Sequence, residues 1–122
     1  MSNADMEAEC QKEAYPVAAM WGSVSNVAGA VMSTAGRVSA WEEKGIASAG
    51  KPGTTSMWRS HAAGEPVVVC FLDGEFPSHH PPVKDGPTSW PDYDRFVVIV
   101  GADGTALPYV ATSRSKMPVQ QP

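Results

Sequence analysis

Asp73, Glu75, His79 and His80 crowd into one short stretch just after an apolar run, and they are the residues of this chain with the most chemical character. Imidazole and carboxylate together suit zinc, copper or nickel, so Asp73, Glu75 and His79 are the candidate metal ligands. The spacing limits such a site. Side chains of an extended chain alternate between faces, so only one of the adjacent histidines joins the two acids, and His61 would have to arrive from another loop. The same four residues also read as a solvated polar turn. Hydrolysis by paired carboxylates needs two acids facing one pocket, a condition that Asp73 and Glu75 meet only by proximity. No serine stands in a nucleophile elbow, and no glycine-rich run leads from a strand into a helix. The sequence therefore leans away from an enzyme and calls for no cofactor. A metal-binding or small hydrolytic protein centred on Asp73, Glu75 and His79 is the alternative.

Cys10 and Cys70 are the two cysteines of the chain. One lies near the amino end, the other inside the apolar run Val67 to Leu72. An even pair so placed predicts a single disulfide tying a terminal segment to a core strand, and with it an oxidising, extracytoplasmic environment, secreted or associated with a cell envelope. The competing reading makes Cys70 a small core hydrophobe. A thiolate nucleophile needs an electropositive, partly exposed setting, which Val and Phe neighbours do not provide.

A third group is aromatic and acidic. Trp90, Asp92, Tyr93 and Asp94 sit in the proline-rich segment 76–94, whose prolines exclude a helix and favour an extended surface path. Aromatic side chains on a stiff loop lose little entropy on contact, which suits a protein or glycan-like partner. Alternatively, Trp90 and Tyr93 fold back as a lid over the sheet.

These groups must be positioned by one domain, since 122 residues make a single modest core. Met1 to Ala4 reads as an expression-tag remnant, leaving 5–122 as the domain. The net charge of −4 and nine scattered Lys and Arg residues exclude a phosphate-tracking surface, and so a nucleic-acid partner. The uncharged stretch 14–36 is long enough for a bilayer, yet Pro16, Asn26, several hydroxyls and three glycines break it, so no transmembrane span is expected. The Ala, Gly, Val and Pro bias matches that of exported proteins of high-GC bacteria and carries no activity with it.

Val17, Val24, Val31 and Val38 recur every seven residues, with Met20, Val27 and Trp41 at complementary spacing, which paints an apolar stripe down a helix with a break near its middle. The surest helix runs from Thr34 to Lys44, capped by Ser33 or Thr34 and stopped by Gly45, with Val38 and Trp41 inward. Composition makes 45–64 a loop, pinned by Met57 and Trp58. Val67 to Leu72 and Phe96 to Val100 are β-branched runs of strand length, apolar throughout, as strands covered on both faces require. Asp73-Gly74 predicts a turn ending the first of these. Ala102-Asp103-Gly104 predicts a hairpin into a third strand, Ala106 to Thr112, with Pro108 marking an edge.

The expected fold is α+β: two helical segments from the N-terminal half packed on one face of a small, mainly antiparallel sheet of three or more strands from the C-terminal half. The expected function is a non-catalytic extracytoplasmic binding domain of unspecified ligand. A structural subunit that self-associates through the valine stripe is the remaining alternative, and the sequence does not fix an oligomeric state.

Overall fold

The computed structural model describes residues 1–48, 53–77 and 92–122. The fold is α+β. Helix α1 (Asn3–Glu9), a π-helical turn (Cys10–Ala14) and α2 (Tyr15–Ala18) follow one another without a gap. Then come β1 (Ser23–Thr34), α3 (Ala35–Ser48), a 3-10 turn (Met57–Ser60), β2 (Pro66–Phe76), β3 (Tyr93–Gly101) and β4 (Ala106–Thr112). The strands form one antiparallel sheet in the order β1-β2-β3-β4.

The first helical run begins at a capping box, in which the Ser2 hydroxyl accepts from the Asp5 N–H and the Asp5 carboxylate accepts from the Ser2 N–H. Its π turn has a local cause. Pro16 lacks the N–H that an α-helix would direct at the Lys12 carbonyl, and the turn widens so that the Tyr15 N–H donates to the Cys10 carbonyl. Met6, Cys10, Ala14 and Ala18, spaced by four, form the buried stripe of this run. The two alanines let the helix approach the sheet closely, and Cys10 is bonded to Cys70 of β2, with Cα atoms 5.8 Å apart.

The valine stripe is not one helix. Val17 belongs to α2, Val24 and Val31 to β1, and Val38 to α3. Between Ser23 and Thr34 the chain holds valines, glycine, serines and asparagine, all weak helix formers, and pairing with β2 outweighs the seven-residue period. Seven is odd, so Val24 and Val31 face opposite sides of the sheet and join different cores.

Those cores lie on the two faces of the sheet. Met6, Cys10, Ala14 and Ala18 pack on Val68, Cys70, Leu72, Phe96 and Val98. Ala35, Val38 and Trp58 pack on Val67, Val69, Phe71, Val97 and Ile99. The helices therefore sandwich the sheet instead of sharing one face, because β2 and β3 carry apolar side chains at every position and need cover on both sides. Three strands come from the C-terminal half; the N-terminal half adds β1.

Three local expectations change. Asp73-Gly74 is not a turn: β2 continues to Phe76, and Gly74 lies so close to β1 that a Cβ there would stand 2.0 Å from the Ser23 carbonyl oxygen. Met57 is 66% exposed, so of the two residues only Trp58 packs into the core. Helix α3 starts where expected, with the Thr34 hydroxyl accepting from the Arg37 N–H, but runs past Gly45 to Ser48. Gly45 makes room for a neighbour, because a Cβ at this position would lie 2.6 Å from the Tyr109 hydroxyl oxygen.

The hairpin of β3 and β4 is as expected, with Gly104 at φ +85° and Pro108 on the edge strand. Beyond β4 the tail crosses back over the α3 side of the sheet. Met117 packs into that core, and Val119 lies against Gly29 of β1.

Gly45→Ala on its own is expected to fall short of the stabilisation of about 1 kcal/mol that helix propensity offers. In a Tyr109→Phe background the full gain should appear, since the remaining ring carbon is at contact distance, 3.8 Å. Urea melts of the two single variants and the double variant measure the coupling; additive effects would mean that Tyr109 does not crowd this position.

Candidate functional site

The structure separates the residues that the sequence grouped. Asp73 is engaged with Arg95, a residue only 5% exposed, whose Nε and Nη2 donate to one Asp73 oxygen at 2.9 and 2.6 Å. Arg114 stands 4.0 Å from the other oxygen. This carboxylate serves to hold a buried cation. Glu75 is exposed on β2, and His79, His80 and Trp90 lie outside the described residues. Among the described residues, no group of three or more His, Cys, Asp or Glu side chains is placed to hold a metal ion.

Of the aromatic and acidic group, Tyr93 is half-buried and packs on the core beneath α1 and α2. Asp94 accepts from the Arg114 backbone N–H at 2.7 Å and faces its Nε at 3.2 Å, which holds the carboxyl below the usual range. Asp92 is exposed. Tyr93 is thus partly committed to the core, and Asp94 to a surface pair with Arg114.

The surface that stands out was not legible as a site. Met20 is 82% and Trp21 48% exposed, side by side on the turn between α2 and β1. That turn is pinned. The Trp21 and Gly22 N–H groups both donate to the Ala18 carbonyl, and Gly22 lies so near β2 that a Cβ would stand 2.1 Å from the Glu75 carbonyl oxygen. The Trp21 ring leans on Phe96 with centroids 6.0 Å apart, and Phe96 in turn contacts Phe76 at 5.2 Å. Trp21, Phe96, Tyr109, Val110 and Ala111 line an open groove of about 270 Å³ along edge strand β4. The seven-residue pattern put the neighbouring Met20 on a helical stripe, whereas the structure leaves it exposed on a turn.

On the α3 side, acids and bases are paired for structure. Arg59 makes a two-pronged contact with Glu43, at 2.8 and 2.7 Å. His61 Nδ1 meets Glu65 at 2.6 Å, and its ring lies over Trp58. Glu42 is buried and accepts a hydrogen bond from the Ser56 hydroxyl at 2.9 Å. Burial pushes the Glu42 carboxyl up, against the Ser56 bond and with help from the Glu43 charge. Burial also raises the Tyr109 phenol, and the Glu42 charge adds to it.

Glu42 and Glu43 should give opposite pH slopes. Glu42 has a folded value above its ordinary 4.5, so its contribution is present below that pH and is lost as pH rises through the raised value. Glu43, held at about 2 first by the Arg59 hydrogen bonds, contributes above 4.5, and that contribution is lost as pH falls toward 2. Denaturant melts across acid pH are therefore expected to show a shallower acid-side decline in Glu43→Gln, with Asp94 keeping its own share. In Glu42→Gln the penalty on the alkaline side of 4.5 should vanish. Parallel profiles for wild type and both variants would remove this assignment.

No protein-family model matches the chain, and no characterised protein or solved structure is detectably similar to it. Among the described residues no helix is long and apolar enough to cross a membrane.

Proposed function

We propose that this protein is a small extracytoplasmic, non-catalytic interaction domain whose contact surface is the Met20–Trp21 turn with the groove beside β4. One observation carries the reading: two large apolar side chains stand exposed together on a turn that the backbone holds rigidly. Adjacent exposed apolar groups of this size mark surfaces that a partner covers, and Trp and Met are enriched in such interfaces. A pinned turn also lowers the entropy lost on contact. The exposed Asp92, next to Tyr93 at the start of β3, supplies an acid on a neighbouring element. The partner chemistry that fits is a protein with an apolar anchor. The Cys10–Cys70 bond supports an oxidising location, where such bonds persist.

A photo-crosslinking amino acid placed at Met20 in the source cell is expected to capture one discrete protein. The same probe at Met57, also exposed but on the α3 side, should not capture it. Identical adducts at both positions, or none at position 20, would overturn the reading. Thiol trapping during fractionation should find the cysteines oxidised in an extracytoplasmic fraction; a reduced cytosolic pool would refute the location.

A further inference from the structure

We infer that the outer edge of β1 is a docking strand for an extended peptide segment of alternating basic and apolar side chains. Among the described residues β1 and β4 are the two edges of the sheet. An open edge is a template for a further strand, and proteins block such edges with charges, proline or bulges. Strand β4 is blocked by Pro108 and by an irregularity at Tyr109, since Val97 pairs with Val110 and Val98 with Pro108. Strand β1 carries no charged side chain and no proline in 12 residues. Its irregularities fall at Ser25 and Ala28, so 29–34 keeps an unbroken register, from Gly29↔Phe71 to Thr34↔Pro66, with none of these guards.

The ladder shows which backbone groups of this edge are open. The Ala35 N–H donates to the Glu65 carbonyl at 2.9 Å, one step beyond the Thr34↔Pro66 pair. Hydrogen-bonded and non-hydrogen-bonded pairs alternate along an antiparallel ladder, so Ser33, Val31 and Gly29 bond to β2, while Ala30 and Met32 turn their N–H and C=O groups outward. The bond from the Gly101 N–H to the Thr105 carbonyl gives the same alternation when it is counted across the sheet from the β4 side. No described residue bonds to the outward groups of Ala30 and Met32, and both residues are partly exposed.

The two flanks of the edge select the segment. Ala30 and Met32 face the α1 side, and Gly29 and Val31 the α3 side. On the first side Glu7 of α1 is exposed and makes no ion pair among the described residues. It borders an open groove of about 270 Å³ whose other walls are 27–30 and Val119. On the second side Val119 lies against Gly29 and is 42% exposed. Side chains of a docked strand opposite Ala30 and Met32 therefore meet a carboxylate, and those between them meet an apolar wall. An ammonium or guanidinium complements the first, and the net charge of −4 draws a basic partner from a distance. In this mode backbone pairing gives affinity and the alternate side chains give specificity. A second copy fits less well: β1 offers no base, and pairing about a two-fold axis brings both Glu7 carboxylates to one face of the joined sheet. The inference does not rest on the Met20–Trp21 surface, which lies beside β4 at the opposite edge.

The test uses the full oxidised chain, isotope-labelled and titrated with the end-capped peptide Lys-Val-Lys-Val-Lys, followed by amide shifts and amide exchange in NMR. Shifts are expected across 29–34, with slower exchange at the Ala30 and Met32 N–H groups. The same peptide methylated on every backbone nitrogen keeps its side chains and charge but cannot donate to the strand, and should bind at least about tenfold more weakly. Glu7→Gln, at an exposed position, should weaken binding about threefold, the scale of an exposed ion pair, and added salt should weaken the wild type. Glu-Val-Glu-Val-Glu should leave the spectrum unchanged. Equal binding of the methylated or the glutamate peptide, no effect of Glu7→Gln, shifts along β4 in place of β1, or no shifts at millimolar peptide would each overturn the proposal. So would protection of Ala30 and Met32 that grows with protein concentration in the absence of peptide, the sign of a second copy on this edge.

Discussion

Replacing Cys10 and Cys70 together by alanine is expected to cost about 4 kcal/mol of unfolding free energy, the loop-closure value for a chain segment of this length. The bond joins residues 60 apart in sequence, and both sulfurs are fully buried between the first helical run and the centre of the sheet. Two terms contribute. The unfolded chain regains the freedom that the cross-link removed, and the helix keeps only Met6, Ala14 and Ala18 as its buried stripe. Three small or flexible side chains give it a thin apolar contact, so without the bond this layer should detach first. Guanidinium denaturation of the oxidised protein and of the double variant measures the total. Hydrogen exchange locates it, with the amides of 3–18 expected to lose protection ahead of those of β2 and β3. A change below about 1 kcal/mol, well short of the usual disulfide range, would mean that packing alone secures the helix.

The sequence revealed the sheet better than the helices, for a physical reason. Val67 to Leu72 and Phe96 to Val100 are apolar at every position, a pattern that only doubly covered strands require, and both lie at the centre of the sheet. The hairpin into β4 was equally legible, since Gly104 and Pro108 are local signals. Strand β1 was not. Its small, uncharged residues satisfy a seven-residue period by coincidence, and what makes the segment a strand is the unpaired edge of β2, which lies 32 residues downstream of its end in Thr34↔Pro66 pairing. The first helix was hidden for the opposite reason: its stripe, Met6-Cys10-Ala14-Ala18, includes two alanines and a cysteine, residues that a hydrophobicity pattern barely registers. The candidate site followed the same logic. Asp73 looked available because its partner, Arg95, is 22 positions away, and Met20 looked buried because the valine stripe ran a helix through it.

Arg95 should be among the most sensitive polar positions in the protein, with Arg95→Met expected to cost about 3 kcal/mol or more. Its guanidinium is buried, gives two hydrogen bonds to Asp73, and donates a third through Nη1 to the Met117 carbonyl at 3.0 Å. Removing it leaves the Asp73 carboxylate short of solvent with only Arg114 nearby, at 4.0 Å, which is the costly half of breaking such a pair. Converting both partners to apolar residues, Arg95→Met with Asp73→Leu, should recover much of the loss, because no charge is then stranded. The tail supplies a second readout. Arg95 ties down Met117, so in Arg95→Met the bonds after Arg114 and Lys116 should become faster targets for trypsin, while the double variant regains stability without regaining that protection. If the double variant proves as unstable as Arg95→Met, the cost lies in the shape of the site and not in the stranded carboxylate. If both variants resist trypsin as the wild type does, Val119 against Gly29 and Met117 in the core are sufficient to hold the tail across the sheet.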